Sequence, residues 1–270
     1  MKKVCAIMLI ICFVLGSLAV LVPTRYGDLL RLLQAELGSL EAQVDMGTSY
    51  ISGDQASADY EKALAWFNKA AQKGYAPAQR NLGIMYDKGL GVREDAVQAR
   101  QWYEKAAAQG DHAAQVNLGV IYHTGRGVPR DYSKARKYYE QAALAGDAMA
   151  QFNMGLMFAK GIGVAQDYRL AKAWYERAAK QNSAKAQIEL GMIYANGLGV
   201  TRDYHAAKDW YTLAAQQGDA AGQFQLGYMY DQGYGVKQDF ATAKYWYGQA
   251  CDNGYQNGCN HYRELNLKGY

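Results

Sequence analysis

The chain has 270 residues, half of them hydrophobic and only three of them proline, which is the composition of a folded protein with ample apolar surface to bury. Its 29 basic and 25 acidic residues leave a formal charge of +4 and are interspersed along the chain. Nucleic-acid binding usually needs a strongly basic patch or stripe. The sequence therefore predicts no nucleic-acid partner.

The N-terminus carries Lys2 and Lys3, followed by an uncharged, almost entirely apolar run over residues 4–22. A basic start and an apolar run are typical of an export signal. The run is also long enough to span a bilayer. Residues 1–22 are interpreted as a cleaved signal peptide or, alternatively, as an uncleaved membrane anchor. Either way we expect an exported body, periplasmic or secreted, whose only link to the membrane is this segment if it is retained.

A unit of 36 residues then recurs six times without insertion or deletion. Its most regular glycine occurs at Gly47, Gly83, Gly119, Gly155, Gly191 and Gly227. An aspartate follows twelve residues later, at Asp59, Asp95, Asp131, Asp167, Asp203 and Asp239. An aromatic pair comes next, ending in Phe67, Tyr103, Tyr139, Tyr175, Tyr211 or Tyr247. A fixed period of this length indicates an array of small structural repeats.

Each unit predicts two antiparallel helices. Leu82 and Met85 belong to one apolar stripe at helical spacing, and Ala99 and Tyr103 to another. The aspartate between the stripes predicts an N-cap for the second helix, because its side chain can accept hydrogen bonds from first-turn amides. A glycine inside a helix costs about 1 kcal/mol relative to alanine. Gly83 and its equivalents therefore predict a close helix contact, covered by a large aromatic side chain.

The two helices of a unit are joined by a G-x-G-V turn. Its first glycine is Gly89, Gly125, Gly161, Gly197 or Gly233. A phosphate-binding glycine loop follows a buried strand, and no strand pattern precedes these turns. We interpret the glycines as the points where the chain reverses. Gly110, Gly146 and Gly218 sit where second helices should end.

Capping segments are expected at both ends of the array. Residues 24–41 predict an N-terminal capping helix, residues 42–257 six repeats, and residues 258–270 a C-terminal capping helix. In the last segment Arg263 replaces the regular glycine, and a polar outer face is what a terminal repeat needs.

The stretch AQRNLGIMYDKGLGVREDAVQARQWYEKAAAQGD, residues 78–111, resembles the Sel1-like repeat, a relative of the tetratricopeptide repeat. The resemblance implies an all-α, right-handed superhelical solenoid of antiparallel helix pairs that serves as a protein-binding scaffold. It implies no particular partner and no cofactor. The first copy departs from the pattern, because GDQASADY (53–60) replaces the G-x-G-V turn.

Cys251 and Cys259 are the only cysteines outside the leader. Their spacing resembles that of the cysteine-rich secreted branch of the same family, which implies a disulfide between them; two neighbouring antiparallel helix ends would suit such a bond. Two buried free thiols are the alternative. A zinc site is not expected, since only His261 lies nearby and no second cysteine pair exists.

No catalytic or metal site is predicted. The S-x-x-K, K-T-G and S-D-N motifs of serine β-lactamases are absent, and so is the zinc-binding H-E-x-x-H. His112, His123, His205 and His261 occupy four different positions of the repeat. A secreted β-lactamase-like hydrolase, which the cysteine-rich branch suggests, is therefore a disfavoured alternative.

The free face of the first helices is the predicted protein-binding groove, which the tetratricopeptide arrangement would make concave. Its candidate residues are Arg80, Ile84, Asp87, Lys88, Val116, Val120, His123, Phe152, Leu156, Lys160, Ile188, Met192, Phe224, Tyr228 and Asp231. An alternative is that Phe152, Ile188 and Phe224 only fill the seam between adjacent helices. The functional hypothesis is an exported adaptor that binds a protein through this groove; a membrane-anchored organiser of the envelope is the other alternative.

Overall fold

A computed structural model describes residues 23–52 and 58–270. Over these ranges the chain forms helices and no strands, so the predicted all-α repeat solenoid is confirmed. The leader and the altered first turn lie mainly outside the described ranges. Of the helices in those ranges, none has the length and apolarity needed to cross a membrane.

The chain divides into two compact units, residues 1–111 and 112–270. In the first unit the helices are α1 (Pro23–Glu36), α2 (Leu40–Ile51), α3 (Tyr60–Ala71), α4 (Ala76–Lys88) and α5 (Ala96–Ala107). In the second they are α6 (His112–Thr124), α7 (Tyr132–Leu144), α8 (Ala148–Lys160), α9 (Tyr168–Ala179), α10 (Ala184–Asn196), α11 (Tyr204–Gln216), α12 (Ala220–Gln232), α13 (Phe240–Asp252) and α14 (Gln256–Leu267). Within each unit every helix packs against the next one along the chain. From α2 to α13, even-numbered helices are the first helices of the repeats and odd-numbered helices the second.

The aspartate of each repeat caps its second helix. The Oδ1 atom of Asp95, for example, accepts hydrogen bonds from the amides of Val97 and Gln98 at 2.9 and 3.0 Å. The same bonds are made by Asp167, Asp203 and Asp239. These contacts satisfy donors that have no partner inside the helix. The N-cap prediction is confirmed.

The regular glycine of each first helix packs directly against an aromatic ring. A Cβ atom placed on Gly83 would lie 2.4 Å from a ring carbon of Tyr103, and one on Gly155 would lie 2.5 Å from the ring of Tyr175. The covering ring is the second member of the aromatic pair and is almost completely buried. The predicted close approach is therefore present, and the covering ring is Phe67 in the first repeat and a tyrosine in the other five.

A buried glutamine lies near the start of each first helix from α2 to α12. Gln151 is 5% exposed, and its amide nitrogen donates to the carbonyl oxygen of Ala143 at 3.1 Å. Its Oε1 atom accepts a hydrogen bond from Gln181 at 2.9 Å. Buried amides are stable only when their hydrogen bonds are made. The carbonyl contact recurs at Gln43, Gln79 and Gln223.

Cys251 and Cys259 form the disulfide that the resemblance implied, with Cα atoms 4.5 Å apart. They occupy the same two repeat positions as Ala215 and Gln223, which are joined by an amide–carbonyl hydrogen bond in the preceding repeat. A covalent bond therefore takes the place of the hydrogen bond where the array ends at α14.

Removing this disulfide should loosen α14 selectively. The bond closes a short loop, for which the chain-entropy estimate gives about 2 kcal/mol of stabilisation. In the Cys251→Ala/Cys259→Ala variant we expect amide hydrogen exchange to accelerate in α14 and at the end of α13, with α6 to α9 unchanged. Reductant should have the same effect on the wild type and no effect on the variant. Equal exchange in α14 with and without the bond would contradict this role.

Candidate protein-binding face

Open recesses lie between consecutive first helices. One of about 260 Å³ in the first unit has Ile84 and Lys88 in its lining and extends from α2 to α4. In the second unit, a recess of about 150 Å³ between α6 and α8 is lined by Val120, His123 and Leu156. Candidate residues of neighbouring repeats therefore meet in this recess of the second unit, whereas the recess of the first unit contains candidates from α4 alone.

A larger recess of about 370 Å³ lies between α10 and α12. Cα atoms of these two helices approach within 8 Å. Met192 and Tyr228 line it, together with the aromatic pair Tyr204 and Tyr234, whose ring centroids are 4.8 Å apart and whose rings are stacked. Tyrosine offers a rigid apolar surface and a polar hydroxyl, a combination enriched at protein interfaces.

The remaining apolar candidates differ in how accessible they are. Val116 is only 4% exposed, whereas Val120 on the same helix is 41% exposed. Phe152 is half-buried, with its ring centroid 5.7 Å from that of Tyr175. Phe224 is also half-buried, against the rings of Tyr247, Tyr255 and His261. Both rings therefore pack against aromatic side chains of neighbouring helices.

Two charged candidates make contacts with other side chains of their own unit. In the first unit the guanidinium of Arg80 lies 2.9 Å from the carboxylate of Asp111. In the second unit the hydroxyl of Tyr247 donates to Asp231 at 3.1 Å. Burial lowers the pKa of His123, and the positive charges of Arg130 and Lys160 lower it further. His123 therefore favours its neutral form, so it presents a polar but uncharged ring to the α6–α8 recess.

A polar position of the first helix was missed by the sequence analysis. Asn81, Asn153 and Gln225 line the three recesses, and Asn117 and Glu189 occupy the same repeat position. Burial raises the pKa of Glu189, a shift that the nearby charge of Lys160 opposes. The sequence does mark this position, because it carries an amide or an acid in each of these five repeats, whereas the residue that follows it is always Leu or Met. Side-chain amides next to apolar recesses can hydrogen-bond a partner's backbone.

The histidines and acids do not assemble into a metal centre in the part of the chain that the structure describes. His261, for instance, lies against the ring of Tyr247, with its Nδ1 atom 3.7 Å from Glu264. The surface of the first helices therefore combines apolar recesses, side-chain amides and charged groups that do not cluster.

Comparison with known families gives one match over most of the chain. The family described as Sel1 repeat matches residues 40–75, 76–111, 112–147, 148–183, 184–219 and 220–255. No curated protein matches the chain.

Several solved structures are similar. A protective antigen with an SLR fold from uropathogenic Escherichia coli is 37% identical, with a TM-score of 0.81 over 90% of this chain and 52% of its own. This chain thus spans about half the length of that antigen. A Sel1 repeat protein from Oxalobacter formigenes is also 37% identical, with a TM-score of 0.74 over 80% of this chain and 86% of its own. An immunity protein from Pseudomonas aeruginosa, at 21% identity and a TM-score of 0.54 over 80% of this chain and 82% of its own, shares the fold.

Proposed function

The chain belongs to the Sel1 repeat family, and we propose that it is an exported adaptor that holds a partner protein against its first helices. Sel1 repeat proteins generally act as scaffolds for protein–protein interaction. The observations that support the proposal most are the open recesses between α6 and α8 and between α10 and α12, which are lined by different residues. Binding without catalysis is the activity that we propose.

The partner would use side chains as anchors in these recesses. Val120 and Leu156 line one recess on the first helices of the second unit, and Met192 and Tyr228 line another. Apolar anchors that enter such recesses supply most of the affinity when helical surfaces bind an extended or helical segment. The amides of Asn153 and Gln225 lie beside the anchors, where they can satisfy polar groups of the partner.

Export is proposed from two independent features. Residues 1–22 carry the basic start and apolar run of an export signal. The Cys251–Cys259 disulfide suits an oxidising compartment, because cytosolic thiols are normally kept reduced. Fractionation of cells, with the intact mass of the recovered protein, tests this proposal; a reduced chain found only in the cytoplasm would contradict it.

The face is tested by substitutions at its exposed positions. Phe152 and Phe224 are unsuitable, because their rings also pack against the buried rings of Tyr175 and Tyr247. Val120 and Tyr228 are 41% and 37% exposed, so Val120→Glu/Tyr228→Glu should leave the fold intact while placing charge in both of these recesses. We expect this double variant to lose at least about tenfold in affinity for its partner, since burying an unpaired charge at an interface costs well over 1.4 kcal/mol.

The matched control places the same charges on second helices. Leu170 and Leu213 are 45% and 44% exposed. Leu170→Glu/Leu213→Glu should recover the same crosslinked partners from intact cells as the wild type, while Val120→Glu/Tyr228→Glu should not. Identical recovery by both double variants would refute the assignment of the face.

A further inference from the structure

Helix α10 carries a half-buried carboxylate without a partner on the candidate binding face. Glu189 occupies the repeat position of Asn153 and Gln225, which line the α6–α8 and α10–α12 recesses. Within the described residues its carboxylate accepts no hydrogen bond and forms no ion pair. A charge withdrawn from water is ordinarily paired, because leaving it without a partner costs free energy. Glu189 is an exception to this rule.

Two buried tyrosines surround this carboxylate. Burial raises the pKa of Tyr175 on α9 and of Tyr211 on α11, and the nearby negative charge of Glu189 raises both further. The hydroxyl of Tyr175 is enclosed and has no hydrogen-bond partner in the part of the chain that the structure describes. In the last repeat, by contrast, the hydroxyl of Tyr247 donates to Asp231 at 3.1 Å. The surroundings of Glu189 therefore leave polar groups unsatisfied.

Two lysines lie near Glu189 without pairing with it. The positive charge of Lys160, the last residue of α8, lowers the pKa of Glu189 and so opposes the effect of burial. Lys185 lies one helical turn earlier on α10. Both lysines are exposed, and neither forms an ion pair with a described residue. The oxygens of Glu189 are not enclosed, unlike the hydroxyl of Tyr175, so a group from another molecule can reach them.

We propose that Glu189 receives a basic side chain of the partner protein, an arginine or a lysine. The inference rests on the proposed function and names the chemistry of one anchor. A guanidinium or ammonium group supplies both the positive charge and the donors that the carboxylate lacks, and such charge-assisted hydrogen bonds are about twice as strong as neutral ones. Since Asn153 and Gln225 are uncharged, Glu189 would fix which repeat receives the basic residue while apolar anchors enter the neighbouring recesses.

Selection from a phage-displayed library of random peptides on the immobilised full chain tests this inference. We expect the selected peptides to combine a basic residue with apolar residues at a fixed spacing. Glu189→Gln should weaken the binding of a synthetic copy by about tenfold, because a hydrogen bond to a charged group is lost. Glutamine suits the position, since Gln225 occupies it in the last repeat. Glu176→Gln is the matched control, because it removes the same charge from α9, where Glu176 pairs with Lys172 at 2.7 Å. It should leave the affinity unchanged.

Two further measurements separate a binding role from a structural one. Glu189→Gln should unfold at the same temperature as the wild type or a higher one, because it removes a carboxylate that has no partner in the fold. Selection on the Glu189→Lys variant should yield peptides with an acidic residue in place of the basic one. A lower midpoint of unfolding for Glu189→Gln together with unchanged peptide binding would show that Glu189 only supports the fold.

The outcome is distinguishable from that of the proposed function. Peptides that lose binding with Val120→Glu/Tyr228→Glu but bind Glu189→Gln as well as the wild type would overturn this inference and leave the proposed function standing. Selected peptides that carry an acidic residue and depend on Lys160 would also overturn it. Failure to select any peptide that depends on the first-helix face would contradict the proposed function and this inference together.

Discussion

Substituting alanine for Gly155 should destabilise the protein, although alanine is the better helix former by about 1 kcal/mol. The added Cβ atom would lie 2.5 Å from the ring atoms Cδ1 and Cε1 of Tyr175, which is fully buried. The helices must therefore separate, and overpacking of this kind costs about 1–3 kcal/mol or more. We expect a net loss of about 2 kcal/mol, and a midpoint of thermal unfolding lower by about 4–8 °C. Gly155→Leu should lower the stability of the protein further.

Gly27→Ala is the matched control, because Gly27 lies in α1 with no atom within 4 Å of an added Cβ. It should be neutral or slightly stabilising. The cost of Gly155→Ala should also shrink in a Tyr175→Ala background, since the ring that causes the clash is then gone. Additive effects of the two substitutions, or an unchanged melting midpoint for Gly155→Ala, would contradict the proposed packing.

Gly163→Ala should cost still more, about 3 kcal/mol. Gly163 has φ +66°, a conformation that costs a residue with a Cβ about 1–2 kcal/mol. Its added Cβ would also lie 2.5 Å from the Cβ atom of Tyr132, at the start of α7. The second glycine of the turn is thus where one repeat contacts the preceding one. Urea denaturation measures the loss.

Substituting the first glycine of the same turn separates the cost of the contact with Tyr132 from the cost of the backbone conformation. Gly161 has φ +65°, but an added Cβ would lie 3.4 Å from its nearest neighbour, Gln166. Gly161→Ala should therefore cost only the conformational part, about 1–2 kcal/mol. Equal losses for the two variants would show that the approach of Tyr132 contributes nothing.

Much of the fold could be predicted from the sequence because each repeat contains residues whose structural roles follow from their type and spacing. The 36-residue period fixed the number of helix pairs. The aspartates fixed where the second helices begin, since capping is a local interaction between a side chain and nearby amides. The glycine within each first helix, which is costly in isolation, predicted a tight contact, and Gly83 makes that contact with Tyr103.

Contacts between distant elements were harder to predict. Gln151 has no local reason to be buried, and its partners Ala143 and Gln181 are apparent only once the helices are packed. The same applies to Gly163 and Tyr132, whose contact joins a turn to the preceding repeat. Sequence spacing places residues on a helix face, but it does not say which atoms of neighbouring repeats meet.

The candidate face was predicted at the level of positions. Val120, Leu156, Met192 and Tyr228 line recesses on it, whereas Val116 is buried. The spacing within the repeat could not distinguish the residues that line recesses from the buried Val116, because both kinds lie on the same side of a first helix. The amide position of Asn153 was not predicted because it lies outside the apolar pattern, and polar side chains on a helix are ordinarily solvent-exposed.

Site-specific photo-crosslinking in intact cells tests the central claim most directly. A photoreactive side chain replaces Val120 on the first helix α6 or, as control, Leu170 on the second helix α9; the native residues are 41% and 45% exposed. The account predicts a discrete crosslinked partner from position 120 and none from position 170. The same partner captured from position 170 alone, or equally from both positions, would contradict the claim that binding uses the first helices.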